Sequence, residues 1–359
     1  MSWQNLYKKK PMVNILDHAA TFAQPCMSQK KLDEGNLIPY FSLEKECKQD
    51  QNEIYNAIKE VVVKILPTQR DKTALIIGTS LIDWNIVNAI NAGAYEEKTP
   101  YRSLKRSIDS YAKDLALELG LNEFTMTINT ACTSSANAIL EARNIINAGF
   151  VEYAIVVGIE IFSPVMSSGF YSMGLLSQTL PKPFSKDRDG LVLGEGVGAM
   201  LLGKHASSWE LLGGFSNCNS ATIASVSEEG DECVEVMENA LQVCSLQPKD
   251  ITAIKAHATG SLANDEAEMN ALKKVFKEEP LITTLKPYIG HTIGASGVLE
   301  LIFLIECING GYLPKTLNCS DSIGYKPIQE DTACSRGVFM CNFFGFGGNN
   351  ISLLLGKTV

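Results

Sequence analysis

One cysteine and two histidines of this chain stand in settings that suit chemistry. Asn129-Thr130-Ala131-Cys132-Thr133-Ser134-Ser135 surrounds a thiol with small and polar residues, just before a segment that reads as a helix. A cysteine nucleophile must be partly thiolate near neutral pH, and the free N–H groups and dipole of a helix start favour the anion. A buried structural thiol is the plainer reading of the same residue. His257, in Ala256–Gly260, and His291, in Gly290-His291-Thr292, are two of the four histidines, and both stand in Gly- and Thr-rich loops after strand-like runs. Neutral imidazole donates Nε2–H to a developing oxyanion and also moves protons. Lys286 precedes His291 by five residues and Glu300 follows it by nine. The Gly- and Asn-rich stretch Asn342–Asn350, NFFGFGGNN, can turn sharply and expose backbone N–H groups. Taken alone it reads as a hairpin loop with buried aromatics. It is no dinucleotide or phosphate loop, since it lacks G-x-G-x-x-G before a helix and G-K-[ST].

The elements that must hold these residues alternate between strand and helix, which indicates an α/β protein. Thr73–Ser80 reads as a buried strand ending in a loop, Phe124–Ala131 as a strand running into Cys132, and Ser134–Phe150 as the following helix, with apolar residues three and four apart. Glu152–Phe162 is the next buried strand. The second half repeats the layout: Ile251–Gly260 reads as strand then loop, Asp265–Phe276 as helix, and Leu281–Tyr312 as strand, loop and helix. Near the amino terminus, Met12–Leu16 reads as a short strand and Asn52–Leu66 as a helix. Ile146-Asn147-Ala148-Gly149-Phe150 ends the helix after Cys132, and Ile308-Asn309-Gly310-Gly311-Tyr312 ends the one after His291. This echo, with the repeated element order, points to two related halves, 1–204 and 205–359, whose loops face one another across a shared site. No long Pro/Ser linker separates them.

Composition sets the outer bounds. The chain has 359 residues, 45% of them hydrophobic, which is ample for a large core. A net charge of -9 argues against broad electrostatic binding to nucleic acid. The longest apolar runs are too short to span a bilayer, and no long apolar leader with a cleavage site is visible. The chain therefore reads as a soluble, cytoplasmic protein. Its ten cysteines include no C-x-x-C pair, so reduced thiols are expected. No histidines pair at zinc-motif spacing, so no metal is expected.

Together the motifs resemble the elongating β-ketoacyl-[acyl-carrier-protein] synthases, the Cys-His-His ketosynthases of the thiolase superfamily. The resemblance rests on Thr130-Ala131-Cys132-Thr133-Ser134, on Pro183-Phe184…Asp187-Arg188-Asp189-Gly190…Gly194-Glu195-Gly196, and on Ala256-His257…Asp265…Glu268. It rests further on Lys286…Gly290-His291…Gly294-Ala295…Gly297…Glu300 and on Asn342…Phe344-Gly345-Phe346-Gly347-Gly348…Asn350. The motifs run in order over roughly residues 73–357. The resemblance implies a five-layered αβαβα fold of two pseudo-related halves, and a homodimer or ketosynthase-like heterodimer. It implies that Cys132 takes the acyl group from an acyl carrier protein (ACP). His257 and His291 then promote decarboxylation of malonyl-ACP, and the carbanion lengthens the chain. The N–H groups of Cys132 and Phe344 are the implied oxyanion hole, with Phe344 as gate. Lys286 and Glu300 organise the His291 side, and Thr259 and Ser261 bind pantetheine. No cofactor is implied beyond the phosphopantetheine of the carrier.

Three departures stand out. Ser261 replaces a usual threonine, Ala258 a usual glycine after the histidine, and Asn349 a usual threonine after the glycines. A further one, Leu81-Ile82-Asp83-Trp84-Asn85, puts Trp84 where glycines are frequent near the acyl tunnel. Trp84 is thus the expected acyl-pocket residue, and the departures favour a specialised pathway such as polyketide or aryl-polyene assembly. Arg102, Lys105, Arg106, Lys182 and Lys186 are candidates to meet an acidic carrier. Three other functions compete. A chain-length-factor-like partner subunit commonly lacks the nucleophile that Cys132 supplies. A thiolase uses a second cysteine, a motif position that Cys341 does not occupy. A cysteine hydrolase leaves most of the motifs unexplained.

Overall fold

The computed structural model describes residues 12–24, 27–32, 36–45, 47, 51–80, 107–218, 227 and 229–358. Val13–Thr21 (β1), Thr73–Gly78 (β4), Thr125–Ile128 (β5), Tyr153–Glu160 (β6) and Gly196–Gly203 (β8) form the sheet of the first half, in the order β5-β4-β6-β8-β1. Trp209–Cys218 (β9), Ala253–Lys255 (β10), Ile282–Thr283 (β11), Gly337–Phe344 (β14) and Asn349–Lys357 (β15) form that of the second, in the order β11-β10-β14-β15-β9. The two orders are the same in topological terms, and so are the directions. The first three strands of each run parallel and the last two pair antiparallel. The sheets join at one corner, where Val13–Ile15 pairs with Trp209–Leu211. Ser28–Lys31 (β2), Leu37–Phe41 (β3) and Leu193–Gly194 (β7) make a small accessory sheet, and Tyr312–Leu313 (β12) with Thr332–Ala333 (β13) a short ribbon.

The helices repeat in the same way. Gln51–Lys64 (α1) follows β1 after the accessory strands β2 and β3, and Ser110–Leu119 (α2) and Ser134–Ala148 (α3) follow β4 and β5. Asp231–Val243 (α5) and Leu262–Val275 (α6) follow β9 and β10, and a single turn at Lys286–Ile289 (α7) with Ser296–Asn309 (α8) follows β11. Pro164–Ser172 (α4) lies between β6 and β7. The sequence echo noted above falls at matching places, the carboxyl ends of α3 and α8.

Successive strand residues point to opposite faces, and here both faces are covered. Ala74 and Ile76 of β4 pack inward with α3 and α8, while Leu75 and Ile77 pack outward with α1 and α2. In β14, Phe339, Cys341 and Phe343 face the same middle layer, and Val338 and Met340 meet α5 and α6. The result is five layers, helix–sheet–helix–sheet–helix, with the paired helices α3 and α8 in the centre. This thiolase-like arrangement matches the fold the motifs imply.

Strand β1 is longer than the Met12–Leu16 segment read from sequence. Its second part, Asp17–Thr21, looks too polar for a strand alone, but β8 supplies a full antiparallel partner. Among the described residues no helix is long and apolar enough to cross a membrane.

The central helices meet end to end at their amino termini. A Cβ on Gly297 of α8 would stand 2.2 Å from the Ala136 nitrogen of α3. The Ser135 hydroxyl accepts a hydrogen bond from Val298 N at 3.1 Å. This contact sets the loop carrying Cys132 against the loop carrying His291.

Candidate active site

Cys132 lies two residues before α3 and is 1% exposed. Thr130 N donates to Ser134 Oγ, whose own hydroxyl donates to Ala131 O at 2.6 Å, so the helix start folds back onto the loop. Ala131, at φ 52°, holds a left-handed conformation immediately before the thiol. Ala258, at φ 36°, does so immediately after His257, and Ile293, at φ 41°, two residues after His291. Each of the three loops therefore stores backbone strain of about 1–3 kcal/mol. At Ala258 it also explains why glycine suits that position better.

The three side chains converge. His291 Nε2 lies 3.2 Å from Cys132 Sγ. The rings of His257 and His291 stand nearly perpendicular, at 85° with centroids 5.4 Å apart. Burial, then the Lys286 charge, holds both imidazoles well below the usual histidine range, so both are neutral.

Their tautomers differ in how they are set. Lys286 Nζ is 3.2 Å from His257 Nδ1 and donates to His257 O at 2.6 Å. An ammonium only donates, so Nδ1 accepts and the His257 proton sits on Nε2. His291 Nδ1 instead faces the Ser296 hydroxyl at 3.2 Å, which in turn lies 3.3 Å from Thr292 Oγ1. A hydroxyl donates or accepts as needed, so His291 Nε2 can accept from the Cys132 thiol or donate to a substrate.

The thiol is protonated in this resting arrangement. Burial pushes it up to about 11, and the Glu160 charge adds to that, against the Phe346 backbone N–H and Lys286. The helix start that favours the anion is present, but loss of solvent outweighs it.

The acids of the site organise its backbone. Asp265 accepts from Phe184 N at 2.7 Å, Thr259 N at 2.9 Å and Gly260 N at 3.1 Å. Glu268 accepts from His257 N at 2.8 Å and Ala258 N at 2.7 Å. Glu300, fully buried on α8, takes Lys286 on one carboxylate oxygen at 2.8 Å and Lys255 on the other at 2.5 Å.

Comparison with known proteins agrees with this geometry. Residues 53–207 match the family description "Beta-ketoacyl synthase, N-terminal domain" and residues 210–320 match "Beta-ketoacyl synthase, C-terminal domain". The chain belongs to the β-ketoacyl synthase family. It is 34% identical over 257 residues to the chloroplastic 3-oxoacyl-[acyl-carrier-protein] synthase I of Arabidopsis thaliana, covering 66% of this chain and 54% of that protein. To the corresponding protein of Hordeum vulgare it is 31% identical over 299 residues, covering 76% and 63%. The chain thus spans less than two thirds of the length of these relatives. The fold is shared with a chain of the Xenorhabdus doucetiae structure of a ketosynthase in complex with its chain length factor. The TM-score is 0.85 and the identity 24%, over 97% of this chain and 98% of that one.

Within this synthase frame the Phe344 assignment changes. Phe344 is the last residue of β14, 1% exposed in the core behind His257, with ring centroids 6.0 Å apart. The backbone N–H beside Cys132 Sγ is that of Phe346. The turn at Gly345–Gly348 carries it there, whereas the amide of Phe344 belongs to a strand. The Phe346 ring is half-buried and meets Phe170 edge-on at 5.8 Å, in the apolar cluster that surrounds Cys132. The hairpin reading of NFFGFGGNN holds, because β14 and β15 are the two arms.

Thr259 is buried, with its hydroxyl 2.9 Å from Ser261 Oγ. Ser261 also lines a cleft with Leu175, Asp189, Asn264, Phe346 and Gly348. Lys182 and Lys186 are partly offset by ion pairs of 3.0 Å each to Asp187 and Asp321. Trp84, Arg102, Lys105 and Arg106 lie outside the described residues.

Five features were missed from sequence: Phe346, Ser296, Glu160, Lys255, and the apolar cluster of Leu32, Ile38, Tyr40, Phe170, Leu176 and Leu193 around the thiol. A signal existed for two of them. Glu160 and Lys255 are single charges within apolar strand runs, and a charge there needs a partner. Glu160 finds partners in Ser80, through N at 3.1 Å and Oγ at 2.5 Å, and in Gly294 N at 3.0 Å.

Proposed function

We propose that this protein is a β-ketoacyl-ACP synthase that condenses acyl-ACP with malonyl-ACP in fatty-acid, polyketide or aryl-polyene-type biosynthesis. The observation that carries the reading is the 3.2 Å approach of a buried thiol to a neutral imidazole, with a second neutral imidazole beside it, in a chain of this family.

The chemistry follows from the residues. Cys132 attacks the acyl thioester, and its proton passes through His291 Nε2 to the departing carrier thiolate. The acyl group is then on sulfur and the carrier leaves as a thiol. Malonyl-ACP enters and loses CO₂. The enolate oxygen that forms takes hydrogen bonds from Nε2–H of His257 and of His291, once Ser296 donates to His291 Nδ1. The enolate carbon bonds to the acyl carbonyl carbon, and the tetrahedral oxyanion faces the amides of Cys132 and Phe346. Collapse expels the Cys132 thiolate, which takes up a proton. The product is a carrier-bound β-keto chain two carbons longer.

Lys286 and Glu300 keep His257 in its donor tautomer. Thr259 and Ser261 bind pantetheine, Ser261 from the cleft it lines, and Trp84 shapes the acyl pocket. The partners are an acyl carrier protein and either a second copy of this chain or a ketosynthase-like subunit. The intact Cys132 favours the condensing role over that of a chain length factor. The proposed setting is the cytoplasm, where thiols such as Cys132, Cys233 and Cys341 stay reduced.

Incubation with acyl-ACP and malonyl-ACP tests the proposal by CO₂ release and by mass spectrometry of the product. Peptide mapping after acyl-ACP alone should place the acyl group on Cys132. Acylation that persists in Cys132→Ala would remove the basis of the reading.

A further inference from the structure

Lys255 ends strand β10, two residues before His257, and its side chain is wholly buried. Its neighbour Ile254 faces the outer helices α5 and α6, so strand alternation turns Lys255 toward the central layer. There its ammonium donates to Glu300 Oε2 at 2.5 Å and to Asn342 O at 2.7 Å, and stands 3.5 Å from the centroid of the Phe343 ring. All three ammonium protons thus have an acceptor or a π-face. Asn342 is held in turn by the Ser352 hydroxyl at 2.7 Å.

On the other oxygen of Glu300 sits Lys286, which holds His257. The chain of contacts runs Lys255, Glu300, Lys286, His257. It places two ammonium groups on one buried carboxylate, directly behind the pair of imidazoles. Desolvating two ammonium groups is costly, and these contacts hold both in place. In the condensation reading the set lies behind the imidazoles that meet the enolate.

We propose that Lys255 is a positioning residue of the condensation step: it fixes Glu300, and through Glu300 the Lys286–His257 pair, and it supplies the second positive charge of the site. This inference rests on the reading given under Proposed function. It assigns no contact between Lys255 and substrate. Burial first, then the Lys286 charge, holds both imidazoles below their usual range, and the Lys255 charge adds to this last. The other titratable groups packed here are Cys132 and Glu160 from the first half, Glu268 on α6, which binds the His257 amide, and Cys341 on β14, paired with Lys255 in the ladder. None of them supplies a further cation. Removing Lys255 therefore makes imidazole protonation easier, and leaves one oxygen of Glu300 unpaired.

The test uses the full chain labelled with ¹³C at histidine Cε1, followed by NMR from about pH 5 to 8. With four histidines, and with His205 exposed and His18 near the surface, the two buried rings are readily separated. In wild type the His257 and His291 signals should stay unchanged over this range. In Lys255→Gln, which keeps hydrogen-bonding groups but loses the charge, and in Lys255→Met both signals should move from their wild-type positions, with any onset of titration at higher pH than in wild type. In parallel, malonyl-ACP decarboxylation should fall about 10²-fold, with its acid limb moved to higher pH. Acyl transfer from acyl-ACP should fall by less than about threefold, since Lys255 stands behind His257 rather than behind the thiol.

Variants whose imidazole signals and decarboxylation-to-transfer ratio match wild type overturn the proposal. Unfolding of both variants also overturns it, leaving Lys255 a packing role. Failure of wild type to release CO₂ from malonyl-ACP refutes the condensation reading instead, while the NMR comparison still reads Lys255.

Discussion

His291 Nε2 stands 3.2 Å from Cys132 Sγ although 159 residues separate the two in the chain. Burial holds the imidazole neutral and the thiol protonated, so the contact is between two uncharged groups. The proposed condensation requires the other ring nitrogen of His291 to have a partner that can donate or accept.

That partner is Ser296. Ser296→Ala removes the hydroxyl 3.2 Å from His291 Nδ1, so neither tautomer is held. Condensation should slow by roughly tenfold, the worth of about one hydrogen bond, with the fold intact. Ser296→Thr, which keeps a hydroxyl, should retain more of the rate. Single-turnover measurement of both half-reactions checks this, and equal rates in wild type and Ser296→Ala would contradict it.

His257 and His291 should separate by half-reaction. His257→Ala removes an oxyanion donor without touching the thiol, and decarboxylation should fall about 10²–10³-fold while acyl transfer stays near wild type. His291→Ala should lower both, because His291 alone contacts Cys132 Sγ of the two. The ratio of CO₂ release to carrier release in each variant reads the difference.

Gly297 allows the two central helices to touch. In Gly297→Ala the new Cβ would stand 2.2 Å from the backbone nitrogen of Ala136, which no rotamer relieves. The helix starts must part, and with them the loops of Cys132 and His291. A stability loss of about 1–3 kcal/mol is expected, with activity falling further than stability. Thermal melts and turnover on the same sample check this, and a stable variant with normal turnover would refute the close approach.

Glu160 gives a pH signature. Burial raises its carboxyl from 4.5 to about 7, despite hydrogen bonds from Ser80 and Gly294 N. A raised carboxyl favours the folded state while protonated, so its stabilising share is full below about pH 4.5 and is lost as pH rises through about 7. The depressed imidazoles act oppositely in part of this window, so the informative quantity is the difference between Glu160→Gln and wild type. That difference should grow in favour of the variant from pH ~5 to ~8, by up to about 3 kcal/mol. Chemical denaturation across that range measures it, and a constant difference would rule it out.

The sequence by itself determined the chemistry-bearing residues that sit in turns. Cys132, His257 and His291 were legible because each follows an apolar strand and stands among small residues, a local pattern that loops impose. The repeated strand–loop–helix order was legible for the same reason, since period and turn residues are local. Only the tertiary structure decided what depends on contacts between distant segments. It moved the sulfur-facing amide from Phe344 to Phe346, because a hairpin's geometry fixes which N–H points away from the ladder. It pushed the Cys132 thiol up rather than down, because burial comes from β3, α4 and the Phe346 loop, none of them adjacent in sequence. It joined Lys255 to Glu300 across 45 residues, and Glu160 to Gly294 across 134. A lone charge in an apolar strand announces that a partner exists, and long-range packing alone selects which one.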